Sequence, residues 1–384
     1  MMAVEMLKMA TFAAIVSFMV CVLIVCSQRW HGKHTFDHDL DGVQKYHTTA
    51  VPRVGGLAVF TGIVLALSFL LIIHPSQIMT LHASSAMKLL IASMPVFIAG
   101  ITEDLMKKMS IKVRLAAAIF SALIASELLG ATIDHLDIWG VDALLVFAPI
   151  ALVVTAIVVA GGTNAINIID GFNGLSGSVI VIISAALGFL AWQTGDALVA
   201  MLAVLSLGVS AGFLLANYPT GKLFLGDGGA YFLGFWVSEI AVLLLVRNPS
   251  INAWQVLSIC AYPVIEVMYS IYRRRFIQHA NPYYPDGLHL HTLVFRCVAT
   301  KLIPYNAAKA WIRNAAVAFI MVPWIALIAF ISVIAGSTII GGLILVLAQV
   351  LLYVAIYTLL ARGQLQRIQN SSVVADIDAN GELS

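Results

Sequence analysis

The chain has 384 residues, of which 61% are hydrophobic and 10% charged, at a mean hydropathy of +0.98. A soluble protein of this length needs a far more polar surface, so the composition excludes a water-exposed globule and predicts an integral membrane protein with the lipid bilayer as its solvent. A formal net charge of +2 is small, and no nucleic-acid partner is expected.

Runs of about 20 apolar residues, the length that crosses a bilayer, occur eleven times: 9–27, 54–73, 85–102, 113–130, 143–163, 176–192, 197–216, 229–246, 254–272, 315–335 and 339–361. No small-residue cleavage site follows the first run, where Ser27 is succeeded by Gln28, Arg29 and Trp30, so it reads as a retained span. Lys and Arg collect on cytoplasmic loops. With the N-terminus outside, 18 of the 21 basic residues fall on one side, and only Lys8, Lys88 and Arg247 on the other. The predicted fold class is therefore an all-α polytopic membrane protein with about eleven transmembrane helices, N-terminus outside and C-terminus cytoplasmic. A single membrane domain covers 1–361, and the polar tail 362–384 is expected to be disordered. Cys21, Cys26, Cys260 and Cys297 have no paired metal-ligand spacing and read as reduced core residues.

In chain order, the first inner loop carries Lys45, His47 and Arg53 ahead of Gly55 and Gly56. Basic groups beside flexible backbone suit a phosphate, and equally suit ordinary positive-inside anchoring. After the third run, the adjacent Glu103 and Asp104 repel each other unless a cation sits beside them, with Lys107 one turn on. A solvated helix cap paired with Lys107 and Lys108 is the plainer alternative. The stretch 131–142 alternates loosely through Ile133, Leu136, Ile138 and Trp139, which predicts a small surface hairpin on the outer face.

The most informative run is NAINIIDGFNGL, 164–175, polar and glycine-bearing between two membrane-length segments. Bilayers tolerate that only at a functional site. Asn164, Asn167 and Asp170 recur every three residues and share one side of a helix end, and Gly171 and Gly174 let the backbone turn or approach a ligand. The next inner loop holds Asn217, Lys222, Phe224 and Asp227, the last bracketed by Gly226, Gly228 and Gly229. Asp227 is placed either to hold a divalent ion or to act as an N-cap. The last inner loop contains Asp286, with His289 and His291 at i and i+2 on one face of an extended segment. Within the spans, Glu127 and Glu239 read as interhelix hydrogen-bonding residues, and Glu266 as a structural neighbour of the active face.

These polar elements recur at one membrane depth on one face, and four carboxylates (Glu103, Asp104, Asp170, Asp227) coexist there only with a cation. Mg²⁺ is the hard ion that carboxylates and phosphate oxygens share, with Mn²⁺ as the substitute. A phosphorylated soluble donor meeting a lipid acceptor is the chemistry that follows.

The ordered set PRVGG, the acidic pair with its lysine, NxxNxxDGxxGL, NxxxGKxFLGDGG and PDxxHxH, spanning Lys45 to Arg296, resembles the polyprenyl-phosphate N-acetylhexosamine-1-phosphate transferases. That family includes the UDP-GlcNAc:undecaprenyl-phosphate GlcNAc-1-phosphate transferases and the phospho-MurNAc-pentapeptide transferase. The resemblance implies an eleven-helix, N-out enzyme of the bacterial cytoplasmic (inner) membrane, starting a surface glycan such as the O-antigen of lipopolysaccharide. In it, undecaprenyl phosphate attacks the β-phosphorus of a UDP-N-acetylhexosamine and expels UMP. It further implies Asp227 as a Mg²⁺ ligand with Asp170 close to the metal, and Glu103 and Asp104 deprotonating or orienting the lipid phosphate. Lys107 would contact the donor alongside Asn164, Asn167 and Gly171, with Asn217 and Phe224 at the uridine. His289 and His291 would bind the diphosphate or sugar, and Lys45 and Arg53 would guide the lipid phosphate. The chain departs from the family pattern at Glu103, where aspartate is usual, at Gly287, where a basic residue is usual, and at Thr292, where a histidine is usual. The alternatives are a MurNAc-pentapeptide donor and, from another class, a secondary transporter. A transporter would place its broken helices at the bilayer midplane, whereas these motifs sit at helix ends.

Overall fold

A computed structural model describes residues 2–36, 50–73, 77–279 and 286–381, with side chains over 4–36, 50–72, 81–279 and 286–362. Lys45 and His47 lie outside the described residues.

Helices cover every predicted apolar run. They are α1 (Met2–Thr35), α2 (Gly55–Ile73), α3 (Gln77–Met106), α4 (Ile111–Leu129), the short α5 (Asp142–Leu145), α6 (Ala148–Ile169), α7 (Leu175–Thr194), α8 (Ala197–Asn217) and α9 (Gly226–Arg247). After these come α10 (Ala253–Ile259), α11 (Ala261–Tyr272), α12 (Leu290–Val294), α13 (Thr300–Leu302), α14 (Trp311–Ala335) and α15 (Ile339–Gly381). Among the described residues there is no strand, only an isolated bridge between Phe36 and Pro52. Among the described residues nine helices are long and apolar enough to cross a membrane, which makes the chain a multi-pass membrane protein. The fourth predicted run, α4, carries Lys112, Arg114 and Glu127 within 19 residues.

The ninth predicted run is broken: α10 and α11 meet at Cys260 with a bend of 84°. Pro263 explains the break, because it has no N–H to give the turn before it and its ring crowds that turn's carbonyl. The hairpin expected at 131–142 does not form. Two of its backbone donors go to side chains, Ile133 N to Thr155 Oγ1 at 2.8 Å and Leu136 N to Asp142 Oδ1 at 2.8 Å, while Thr132, Val141 and Asp142 donate to local carbonyls, so no strand ladder is needed. Two further expectations fail. Among the described residues Glu127 is exposed with no hydrogen bond to another helix, and Glu239 is fully buried with neither carboxylate oxygen hydrogen-bonded.

α9 is the hub of the bundle. It packs on α2, α3, α6, α7 and α8, and its Trp236, Phe232 and Phe235 are among the largest fully buried side chains. Phe60 and Phe97 stack at 4.3 Å and both meet the ring of Phe232 edge-on. Glycine permits the closest approach: a Cβ on Gly100 of α3 would lie 2.6 Å from the Asp227 carbonyl oxygen. Membrane helices pack through such small residues, since lipid gives no hydrophobic drive between helices. The start of α9 is thereby held against the end of α3, and the site is built at that junction.

Candidate active site

The polar residues converge at one end of the bundle, where α3 and α6 finish and α2, α4, α7 and α9 begin. Two loop segments lock together there. Phe224 N donates to Pro52 O at 2.9 Å, Gly55 N to Phe224 O at 2.9 Å and Gly56 N to Leu225 O at 2.8 Å. This clamp sets Arg53 beside the first turn of α9, its Nη2 3.2 Å from Asp227 Oδ2 and 3.8 Å from Asp104 Oδ1. From the end of α6, Asn167 Nδ2 donates to Asp227 Oδ1 at 2.6 Å. Asp227 therefore has one amide and one guanidinium on it.

The two acids that look equivalent in sequence do different work. Asp104, 1% exposed, accepts from Asp227 N and Gly228 N, each at 2.8 Å, so it caps α9 from another helix. Gly226 makes this possible: its φ is +75°, and a Cβ there would overlap the Arg53 carbonyl oxygen and stand 2.7 Å from Asp104 Oδ2. Glu103 instead has Oε1 3.9 Å from Arg114 Nη1, and Oε2 is buried with no hydrogen-bond partner. A carboxylate oxygen without a donor is expensive in such a place and is free to take a proton.

Asp170 ends α6 and accepts a hydrogen bond from Ser176 Oγ. Burial pushes its carboxyl up to about 6; the Ser176 hydroxyl opposes the rise and the charge of Asp227 adds to it. Glu103, Asp104 and Asp170 all lie within the field of Asp227. Asn164 lies nearly two turns back on α6 and makes no side-chain hydrogen bond among the described residues.

Other expected residues are held in place. Asn217 uses both ends of its amide on backbone, accepting from Gly174 N at 2.6 Å and donating to Leu223 O at 2.8 Å, which pins the 170–174 turn to the loop before α9. Lys107, in the left-handed region at φ +55°, donates from Nζ to Phe36 O at 2.7 Å at the end of α1. Phe224 is partly buried in the clamp.

The histidines sit across the 170–172 turn. Their rings are parallel, 5.2 Å apart at 11°, and His291 meets Phe172 edge-on. His291 Nε2 faces Gly171, 4.0 Å from where a Cβ would stand. Asp286 accepts hydrogen bonds from Ser270 Oγ, Leu288 N and Arg273 Nη2. Burial works against its charge, but His289, Ser270 and Arg273 outweigh this and hold its carboxyl below the usual range. Burial draws the His291 pKa down, against the pull of Glu266.

The sequence reading did not single out Ser176, Arg114 or Tyr353. Arg114 is the one that a sequence signal could have found, as a basic residue entering an apolar run four residues after the N-cap Ser110.

Among the described residues no three His, Cys, Asp or Glu side chains form a ready metal cage. Mg²⁺ commonly binds through one or two carboxylates plus substrate phosphates and water, and Asp227 with Asp170 beside it would supply those carboxylates.

A multi-pass helical bundle with a carboxylate, amide and guanidinium site at one end defines the class. The sequence profile of glycosyl transferase family 4 matches residues 86–245, from α3 to the end of α9. The chain is 28% identical over 253 residues to a probable undecaprenyl-phosphate N-acetylglucosaminyl 1-phosphate transferase of Bacillus subtilis, covering 65% of this chain and 66% of that one. It is 29% and 27% identical to the undecaprenyl-phosphate α-N-acetylglucosaminyl 1-phosphate transferases of Salmonella typhi and Yersinia pestis, covering 67% of this chain and 69% of each relative. The chain is thus similar, over about two thirds of its length, to membrane phosphosugar transferases.

Proposed function

We propose that the protein transfers an N-acetylhexosamine 1-phosphate, GlcNAc 1-phosphate first among them, from its UDP-sugar to undecaprenyl phosphate with release of UMP. The reading sets the site on the cytoplasmic face of a bacterial inner membrane and makes the reaction the start of a lipid-linked surface glycan. The relatives' names support the donor and acceptor classes. Within the site, the observation that carries the reading is the pairing of a donor-held Asp227 with the orphan oxygen of Glu103.

In this reading an oxygen of the lipid phosphate forms a bond to the β-phosphorus, and the bond from that phosphorus to the bridging oxygen breaks. UMP leaves with the bridging oxygen. Glu103 takes the proton of the lipid phosphate, while Asp104 holds α9 in register beside it. Asp227, with Asp170 alongside, would hold Mg²⁺, whose charge offsets that of the diphosphate. Arg53 steadies both Asp227 and the incoming phosphate, and His291 Nε2 reaches the diphosphate from across the turn at Gly171. Phe224 offers its ring to the uracil, and Lys45 guides the lipid phosphate.

Purified protein incubated with undecaprenyl phosphate, Mg²⁺ and a panel of UDP-GlcNAc, UDP-GalNAc and UDP-MurNAc-pentapeptide should release UMP, fastest from a UDP-HexNAc. No UMP from any donor would overturn the reading, and preference for the pentapeptide would move the enzyme to peptidoglycan synthesis.

A further inference from the structure

Glu266, on α11, is a buried carboxylate to which the proposed reaction assigns no part. It is fully buried, and its Oε1 accepts from Leu290 N at 2.7 Å and from Tyr353 Oη at 2.8 Å, and faces His289 Nδ1 at 3.2 Å. Its Oε2 has no hydrogen-bond partner, yet stands 3.4 Å from His291 Nδ1. One carboxylate thus addresses the same nitrogen of two stacked imidazoles, while the last membrane helix, through Tyr353, holds it from behind.

We propose that Glu266 is a positioning residue that fixes both histidines with Nδ1 protonated and turned inward, so that Nε2 of His291 is presented to the substrate phosphates. The inference rests on the functional reading above only for what His291 touches; the tautomer assignment stands without it. The chemistry is that of histidines held by a carboxylate on one ring nitrogen so that the other is committed to its task. An orphan buried oxygen is costly, and the donors within reach of the carboxylate are a proton on His291 Nδ1 and the Tyr262 hydroxyl. Tyr262 is the competitor: its hydroxyl lies 3.4 Å from His291 Nδ1. If that hydroxyl donated to the ring, Oε2 would be left with a bare nitrogen facing it, which is the less favourable arrangement. His289 has its Nε2 turned toward its own loop, 3.7 Å from Asp286 Oδ2 and beyond hydrogen-bond distance. The pair is therefore asymmetric, and His291 is the member whose Nε2 faces the 170–172 turn.

The test uses full-length protein in lipid nanodiscs, ¹⁵N-labelled at histidine, in wild-type, Glu266→Gln and Tyr353→Phe forms. The ring ¹⁵N shifts should report Nδ1–H on His289 and His291 in the wild type. In Glu266→Gln the amide of glutamine donates toward one ring, and that ring should switch to Nε2–H. UMP release should then fall roughly 10–100-fold in kcat, with the donor KM changed far less. Tyr353→Phe keeps the carboxylate, and is expected to retain both tautomers with a smaller fall in kcat. If Glu266→Gln fails to fold, wild-type shifts showing Nε2–H on His291 overturn the proposal on their own. Unchanged shifts in a folded Glu266→Gln also overturn it, even if activity drops, because the effect is then merely structural. Wild-type protein that shows the expected tautomers but releases no UMP sinks the transferase reading and leaves the positioning role standing.

Discussion

The two ends of the bundle treat buried carboxylates in opposite ways. At the end away from the site, Asp196 caps α8 through Val199 N at 3.2 Å, and its oxygens also receive Arg247 Nε at 2.7 Å, Arg247 Nη2 at 3.2 Å and Asn248 Nδ2 at 3.2 Å. Those partners outweigh burial and hold its carboxyl below the usual range. At the other end, Glu103 keeps an oxygen with no donor and Asp170 is pushed up to about 6 by burial. The contrast teaches that a carboxylate saturated by its own chain is a fastener, and one left short of donors waits for something to arrive.

Four measurements test that contrast. Asp227→Asn should cut UMP release by roughly 10³-fold while the protein still inserts and folds, since charge aimed at the reacting centre is lost but the Asn167 contact can be kept. Near-normal turnover would remove Asp227 from the metal site. Glu103→Gln should cost roughly 10²-fold in kcat, whereas Asp104→Asn should lower thermal stability together with activity, because it loosens the first turn of α9. Equal behaviour of the two variants would erase the distinction between them.

The third measurement is the melting temperature against pH in metal-free detergent, where the two aspartates have opposite signs. Asp170 has a raised folded pKa, so its contribution is present below the unfolded value near 3.8 and is lost as pH rises through about 6. Asp196 has a depressed one, so its contribution is present above the unfolded value and lost as pH falls through the folded one. Asp170→Asn should flatten the first slope and Asp196→Asn the second; unaltered slopes in either variant would refute the corresponding assignment. The smallest effect is on Asp196→Asn itself, expected to destabilise by about 1–2 kcal/mol, since the Arg247 guanidinium is half-exposed, with kcat unchanged.

Much of the site was legible because polar residues at membrane helix ends are rare enough to stand out. The spacing of Asn167 and Asp170 and the glycines around Asp227 all mark positions that meet in space. What stayed hidden were partnerships across sequence. Glu103 and Asp104 are neighbours, and only the approach of α9, 123 residues on, decides which of them is used up as a cap. Glu266 reads as an isolated intramembrane acid until the histidines 23 and 25 residues later fold back on it and Tyr353 joins from the final helix. The bend at Cys260 was signalled by Pro263, yet a continuous apolar run masked it. The false hairpin at 131–142 arose because loose alternation mimics a strand where Thr155 and Asp142 supply the acceptors.

The Asp104 cap has one more effect, on what the site accepts first. Helix starts elsewhere commonly receive phosphate on their bare N–H groups, but the N–H groups of Asp227 and Gly228 already point into a carboxylate. In the proposed reaction a nucleotide arriving alone would meet an occupied helix start and a cluster of negative charge, so the order of assembly would favour a cation, or a cation already riding on the diphosphate, ahead of the bare anion.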